Sequence, residues 1–313
     1  MQNLSNFIRR RDFISLHDFT TEEIKILLDV AGELKRMQKL GIAHPYLQGK
    51  TLAMIFQKSS TRTRVAFEVG MYQLGGCALF LNPRDIQLGR GEAIKDTAMV
   101  LSRMVDGIMI RTFAHEEVLE LARWADVPVI NGLTDLLHPT QVLGDMLTIK
   151  EHKGKLQGLK LTFLGDGNNV AHSLLFGGAK MGMDVVVSSP GGFEPDKNIL
   201  AAAQEDALKT KSVLTVEKDL QKAIAGADVV YTDVWASMGQ EETAGDKEKH
   251  FTDYQLNSKL LSLAKPDAIV LHCLPAKRGK EITDEVMDGP QSVIMDEAEN
   301  RLHAHKAIMA LLM

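Results

Sequence analysis

The sequence predicts an α/β protein of two domains, each a mostly parallel sheet flanked by helices, with helices joining the two. Three observations carry that expectation. The chain has 313 residues, too many for one ordinary core and enough for two of medium size. Two separate stretches alternate short apolar runs with amphipathic helical patterns, the mark of βαβ units. Between them stands Pro139, well placed as the first residue of a helix, where its missing N–H has no partner to lose.

In the first stretch Thr51 to Phe56 reads as a buried strand. Val65, Phe67, Val69, Met71 and Leu74 populate the helix that follows, and Gly75 and Gly76 end it. Cys77 to Leu81, Gly107 to Ile110 and Val127 to Ile130 are further strands, with helices over Ala93 to Met104 and Glu116 to Trp124. The helix from Pro139 runs to about His152 and joins the domains. Beyond it Lys160 to Leu164, Asp184 to Val187, Val229 to Thr232 and Ile269 to His272 alternate with helices in a second sheet, and a helix over Ala298 to Leu312 comes last. The expected domains are therefore 1–137, completed by 298–313, and 138–297. Gln240 to Lys249 is polar without apolar periodicity and reads as a mobile loop.

Bulk composition narrows the function. Apolar residues make up 45% and charged residues 25%, ordinary values for a soluble globular protein. Lys plus Arg number 36 against 41 Asp plus Glu; the resulting net charge of −5 argues against nucleic acid as a partner of the whole surface. An anionic substrate would then need a local basic pocket. Apolar runs such as Ala268 to Leu271 fall far short of the roughly 20 residues a bilayer requires, so no membrane partner is expected and the protein reads as cytoplasmic. Cys77 and Cys273 are too few and too far apart for a disulfide framework or a structural zinc site.

Three clusters carry chemistry. Ser59-Ser60-Thr61-Arg62-Thr63-Arg64 lies between a strand and its helix, where hydroxyls, guanidinium groups and the orphan N–H donors of a helix start converge. A phosphate site is the natural reading, because the guanidinium fork matches phosphate oxygens. A plain Ser/Thr cap beside solvated arginines would use the same residues. His138-Pro139-Thr140-Gln141 lies at a second helix start and could address a carbonyl oxygen and an amide, although an isolated histidine there more often caps or packs. His272-Cys273-Leu274-Pro275 puts a thiol at a strand exit, where a cysteine is usually a small buried residue.

Taken together, the three resemble the SxRTR, HPxQ and HCLP signatures of the aspartate/ornithine carbamoyltransferase family, in the right order over essentially the whole chain. Asp166-Gly167-Asn168-Asn169, Asp233-Val234-Trp235-Ala236-Ser237-Met238-Gly239 and Asp296-Glu297-Ala298-Glu299-Asn300-Arg301 resemble the ornithine branch. The resemblance implies transfer of the carbamoyl group of carbamoyl phosphate to the side-chain amine of ornithine, giving citrulline, either in arginine synthesis or run in reverse. It assigns Ser60, Thr61, Arg62 and Thr63 to the phosphate and Arg111 to phosphate and carbonyl oxygen. His138 and Gln141 go to the carbamoyl group, Arg301 to the same substrate, and the carbonyl of Cys273 or Leu274 to its amide. Asn169, Asp233, Ser237 and Met238 are implied for the α-amino and α-carboxylate groups of ornithine, with Cys273 near the reacting amine. Gln87, in Asp85-Ile86-Gln87-Leu88-Gly89, matches a loop that reaches into a neighbouring subunit's site, which implies a homotrimer with shared sites. Gln57 and Ser59 depart from the glutamate and arginine that many relatives carry.

This chemistry is positioning and electrostatics, so neither a cofactor nor a metal is expected. Arg111, His138 and Thr63 would stabilise the developing oxyanion while Arg62 and the hydroxyls neutralise the departing phosphate. An alkylamine with a pKa near 10.4 is neutral in about one molecule in a few thousand at pH 7, so the site must select that form, with Asp233 taking the α-ammonium. Carbamoyl phosphate is expected to bind first, and the two domains to close around the substrates. His303 and His305, two apart on a helix, would point to different faces and are expected to be surface residues. Gly165 to Val170 resembles a dinucleotide fingerprint, but its third glycine is absent and no ribose-binding acid follows Asp184 to Val187. Within the family, a carbamoyltransferase for putrescine or an acylated ornithine is the competing reading.

Overall fold

The computed structural model describes residues 10–236 and 244–313. The chain forms two compact units: one comprises residues up to Leu147 together with Asn300–Met313, the other Thr148–Glu299. Both are α/β with parallel sheets.

The first unit opens with α1 (Thr21–Lys39), which the strand-based expectation did not include. Its start is fixed by a capping box: Thr20 accepts from the Glu23 N–H, while the Glu23 carboxylate accepts from that of Thr20. Then follow β1 (Thr51–Phe56), α2 (Thr61–Gln73), β2 (Cys77–Leu81), α3 (Ile94–Leu101), β3 (Gly107–Arg111), α4 (His115–Trp124) and β4 (Val129–Leu133). The strands order as β2-β1-β3-β4, all parallel. β4 begins two residues later than expected, after Pro128, which has no N–H for the ladder; the Val129 N–H donates to the Asp12 carboxylate at 2.8 Å.

α5 (Pro139–Lys153) carries the chain into the second unit. There β5 (Lys160–Leu164), α6 (Asn169–Met181), β6 (Asp184–Ser188), α7 (Lys197–Thr210), β7 (Leu214–Val216), α8 (Leu220–Ile224), β8 (Val229–Thr232), α9 (Ala244–Phe251), α10 (Ser258–Leu261), β9 (Ile269–His272) and α11 (Asp284–Met287) follow in turn. The parallel order is β7-β6-β5-β8-β9, and the three-residue β7 is too short to have shown in the apolar pattern. α9 corrects the mobile loop expected over Gln240 to Lys249: residues 244–249 are helical, and 240–243 lie outside the described residues. Its anchor is the last residue, Phe251, fully buried against Trp235, Phe193 and Tyr254, which a polar window ending at Lys249 does not contain.

α12 (Ile294–Leu312) returns the chain to the first unit and begins four residues earlier than expected. His303 and His305 are both completely buried, not surface residues as expected, because α12 is enclosed along most of its length. Within the first unit α2 and α12 run side by side in the same direction. Thr63 meets Arg301, Phe67 stacks on His305 with ring centroids 4.1 Å apart, and Gln73 meets Lys306. Gly70 makes the approach possible, since a Cβ there would stand 2.8 Å from Met309 Cε and 3.3 Å from Lys306 Cγ.

Lys306 is fully buried, and its ammonium donates to Gln73 Oε1 (2.9 Å), Gln38 Oε1 (3.1 Å), His44 Nε2 (3.3 Å) and the Leu34 carbonyl (3.5 Å). Burial pushes its pKa down to about 8. The unfolded chain, with an ordinary lysine pKa near 10.4, holds that proton more tightly, so deprotonation favours the fold. The stability of the protein relative to its Lys306→Met variant should therefore rise between pH 8 and 10.5, by roughly 3 kcal/mol at most. Parallel denaturant titrations of the two across that range check it, and curves of equal pH slope refute it.

Candidate active site

In an open parallel sheet, ligands bind at the carboxyl ends of the strands where the strand order reverses. In the first unit that point is between β1 and β3, where β1 runs into Ser60 and β3 ends at Arg111. Phe56 of β1 and Arg111 are in register, while the pairing of β3 with β4 slips between Ile110 and Arg111. Such an irregularity re-aims a side chain, and here it falls on a buried arginine, 5% exposed.

Ser60 caps α2: its Oγ accepts from the Thr63 N–H at 3.2 Å and donates to Thr63 Oγ1 at 3.1 Å. A cap of this kind contributes about 1 kcal/mol, and with no acid in the first turn the positive end of the helix stays open to an anion. Thr63 Oγ1 also accepts from Arg301 Nη2 at 2.6 Å, a contact spanning 238 residues of sequence. Gly144 in α5 lets the Arg301 backbone come close, since a Cβ there would lie 3.3 Å from Arg301 N and Cγ. His138, at the start of α5, is buried and holds its pKa well below the ordinary histidine value. Burial is the main cause, followed by the guanidinium groups of Arg301 and Arg111, then His305 and Arg62. Three arginines thus converge electrostatically on one neutral imidazole, an arrangement made for an anion. Gln141 donates to Asp145 Oδ1 at 2.8 Å. Thr61 and Gln87 are exposed, Gln87 on a short 3-10 turn over Gln87–Arg90. Gln57 donates to Glu117 Oε2 at 3.0 Å.

The titration of His138 has a definite sign. Its unfolded pKa is near 6.5 and its folded pKa is lower, so the stability it contributes is intact above about 6.5 and declines as pH falls from there toward the folded value. Its ring resonances should keep neutral-imidazole shifts down to pH 6 in an NMR titration. A midpoint at or above 6.5 would refute a buried neutral ring.

In the second unit the strand order reverses between β5 and β8. β5 leads into Asp166 and Asn168, β8 into Asp233. Asn168 caps α6, accepting from the Val170 and Ala171 N–H groups, and its Nδ2 donates to Asp233 Oδ2 at 2.8 Å. Thr232 and His272 are paired residues of β8 and β9, so the residues after them, Asp233 and Cys273, come together, with the thiol donating to Asp233 Oδ1 at 3.0 Å. The Val234 N–H donates to the same oxygen at 2.8 Å. Asn169 is buried at the start of α6. Ser237 and Met238 lie outside the described residues.

The strand exit at Cys273 is held by carboxylates. Glu297 accepts from the His272 N–H (2.8 Å) and the Tyr231 hydroxyl (3.1 Å). Leu274 takes the left-handed backbone region at φ 58°, and its N–H donates to His272 Nδ1 at 2.9 Å, which puts the ring proton on Nε2 for Glu281 Oε1 at 3.1 Å. Among the described residues the ligand-type atoms of Asp233, His272 and Cys273 lie within 4.8 Å of one another, but both nitrogens of His272 are committed, so the trio is arranged for positioning. The fingerprint-like Gly167 is occupied by the chain itself: its N–H donates to Phe193 O at 2.8 Å, and a Cβ there would stand 2.3 Å from Pro195 N, where a dinucleotide would need room. The sequence assigns no individual role to Asn168, Glu281 or Glu297, although Asn168 and Glu297 lie in the segments that resemble the ornithine branch.

Residues 11–151 match the carbamoyl-P binding domain of aspartate/ornithine carbamoyltransferase, and residues 157–312 match its Asp/Orn binding domain. The chain is 61% identical over 305 residues to an ornithine carbamoyltransferase of Carboxydothermus hydrogenoformans, covering 97% of this chain and 98% of that one. The chain belongs to the aspartate/ornithine carbamoyltransferase family. Its fold agrees with solved members of that family. Ornithine carbamoyltransferase from Pyrococcus furiosus superposes with a TM-score of 0.95 at 54% identity, over 97% of both chains. The ornithine transcarbamoylase of Giardia lamblia reaches 0.86 at 34% identity, over 96% of this chain and 97% of that one. The two carbamoyltransferase domains thus correspond to two α/β sheets, each with its polar residues at the reversal of strand order.

Proposed function

We propose that this carbamoyltransferase moves the carbamoyl group of carbamoyl phosphate to the side-chain amine of L-ornithine, giving L-citrulline and phosphate. The observation that carries this reading is the Asp233–Cys273–Asn168 constellation of the second unit, in a chain whose first unit holds the arginine-ringed neutral His138 and which is 55–61% identical to several ornithine carbamoyltransferases. Ser60, Thr61, Arg62 and Thr63 bind the phosphate, with Arg301 holding the Thr63 hydroxyl in place. Arg111 and His138 polarise the carbamoyl carbonyl and stabilise the negative charge that grows on its oxygen as the amine attacks. Gln141 and the carbonyls of Cys273 and Leu274 orient the carbamoyl amide. Asp233 takes the α-ammonium of ornithine, Asn169, Ser237 and Met238 its carboxylate, and Cys273 stands beside the attacking amine. The amine supplies the electron pair for the new C–N bond, the C–O bond to phosphate breaks with its electrons going to the phosphate oxygen, and the proton lost from the attacking nitrogen goes to the departing phosphate.

Citrulline formation from the two substrates tests the reading, with Arg62→Ala as the variant expected to lose carbamoyl phosphate binding. Turnover of putrescine or an acylated ornithine with none of ornithine would refute it. We propose further that the enzyme is a cytoplasmic homotrimer in which Gln87 reaches a neighbouring site. Exposed apolar side chains on the first unit support this, among them Val65, Tyr72, Leu79 and Met104. A single sedimenting species of three chains tests it. A 55% identical relative from Pyrococcus furiosus is named an anabolic ornithine carbamoyltransferase, which favours arginine biosynthesis as the role here.

A further inference from the structure

Lys247 is the residue of α9 that reaches the second unit's polar constellation. Its ammonium meets Asp166 Oδ2 at 2.5 Å, with both side chains nearly buried at 11% and 13% exposure. Asp166 is two residues before Asn168, and its carbonyl accepts the Asn168 N–H at 2.7 Å, so it belongs to the turn that orients Asp233. α9 is held in place independently of that ion pair. Phe251 sits in the aromatic cluster, and Glu248 binds Lys280 at 2.7 Å and Lys277 at 3.7 Å on the segment after Cys273.

The charges at this place have a consequence for which acceptor fits. Burial raises the pKa of Asp166 and the nearby Asp233 charge adds to that rise, while the hydrogen bond and charge of Lys247 act against it. The described trio therefore sums to a single negative charge. Ornithine with a neutral side-chain amine carries one ammonium and one carboxylate, whereas putrescine in its reactive form carries one ammonium and no carboxylate.

Resting on the function proposed above, we propose that Lys247 is a specificity-determining residue. By neutralising Asp166 it leaves Asp233 as the anion of this pair that is available to the acceptor, and its positive charge favours an acceptor bearing a carboxylate over a diamine. Removing the cation makes the place doubly acidic and selects for cations. Removing the Asp166 charge instead takes one anion away while Lys247 keeps its own charge, and selects more strongly for the amino acid.

The test is kcat/KM for ornithine and for putrescine in the wild type, Lys247→Met, Asp166→Asn and the double variant. Lys247→Met should lower the ornithine-to-putrescine ratio at least tenfold, chiefly through KM for ornithine. Asp166→Asn, which leaves no buried anion without a partner, should raise the ratio, and the double variant should return it toward the wild type. The opposite directions of the single variants are the signature of charge, since a merely structural loss would lower both activities together. Should Lys247→Met fail to fold, Asp166→Asn alone decides, and an unchanged or lowered ratio there overturns the proposal. A wild type inactive on ornithine would instead refute the function on which it rests.

Discussion

Replacing Arg111 with methionine is expected to lower kcat by about 10²- to 10³-fold, the effect of removing one preorganised donor from a developing oxyanion, roughly 2.7–4 kcal/mol. The side chain sits at the end of a central strand, paired to β1 on one side and set by the register slip toward β4 on the other. It therefore loses little freedom when the transition state forms. Methionine keeps an unbranched apolar stem, so the site loses charge without gaining a large void. Since Arg111 adds to the positive field that disfavours protonated His138, the variant should also bring the imidazole pKa back toward its ordinary value. Steady-state kinetics joined to an NMR titration would see both effects. A variant within tenfold of wild-type kcat would remove Arg111 from the reaction.

Asp233→Asn should reduce kcat/KM for ornithine by about 10²- to 10⁴-fold, since breaking a buried ionic contact costs roughly 3–5 kcal/mol. Its carboxylate accepts from the Cys273 thiol, the Val234 N–H and the Asn168 amide, all of which hold it in one orientation. An asparagine can still serve Cys273 and Val234 with its oxygen, but its amide then opposes that of Asn168, donor against donor. Carbamoyl phosphate affinity, measured by calorimetry without ornithine, should stay within a few-fold. Equal losses for both substrates would mean that the variant has disturbed the fold and not the acceptor contact.

What the sequence made legible follows from how each feature is encoded. β1, β2, β5, β8 and β9 occupy the residues their apolar runs predict. For the fully buried β8 and β9 and the nearly buried β1 and β5 the reason is that a strand covered on both faces is apolar nearly throughout, whereas β2 is an apolar edge strand. α1 was equally readable, with Thr20 and Glu23 in a capping box and Ile24, Leu27, Leu28, Ala31 and Leu34 at helical spacing. α9 was not readable from its polar residues, since its order comes from one aromatic beyond them. The chemistry-bearing residues could be named from motifs, but their partners could not. Thr63 and Arg301 are 238 residues apart, Asn168 and Asp233 are 65, and only the register of the strands and the parallel run of α2 beside α12 bring them together. His303 and His305 went astray for a related reason: two polar residues on a helix read as exposed unless the helix is enclosed on more than one side.

The membership of residues 300–313 in the first unit bears on how the protein is made. On a ribosome the 148–299 segment can complete its own sheet as soon as it emerges, while the earlier-born unit still lacks the helix that covers Phe67 and Gly70 and delivers Arg301 to Thr63. At about 5–20 residues per second the nascent N-terminal half waits roughly eight to thirty seconds with apolar surface uncovered. Birth order and order of maturation are thereby reversed, and the interval is when a chaperone has most to protect.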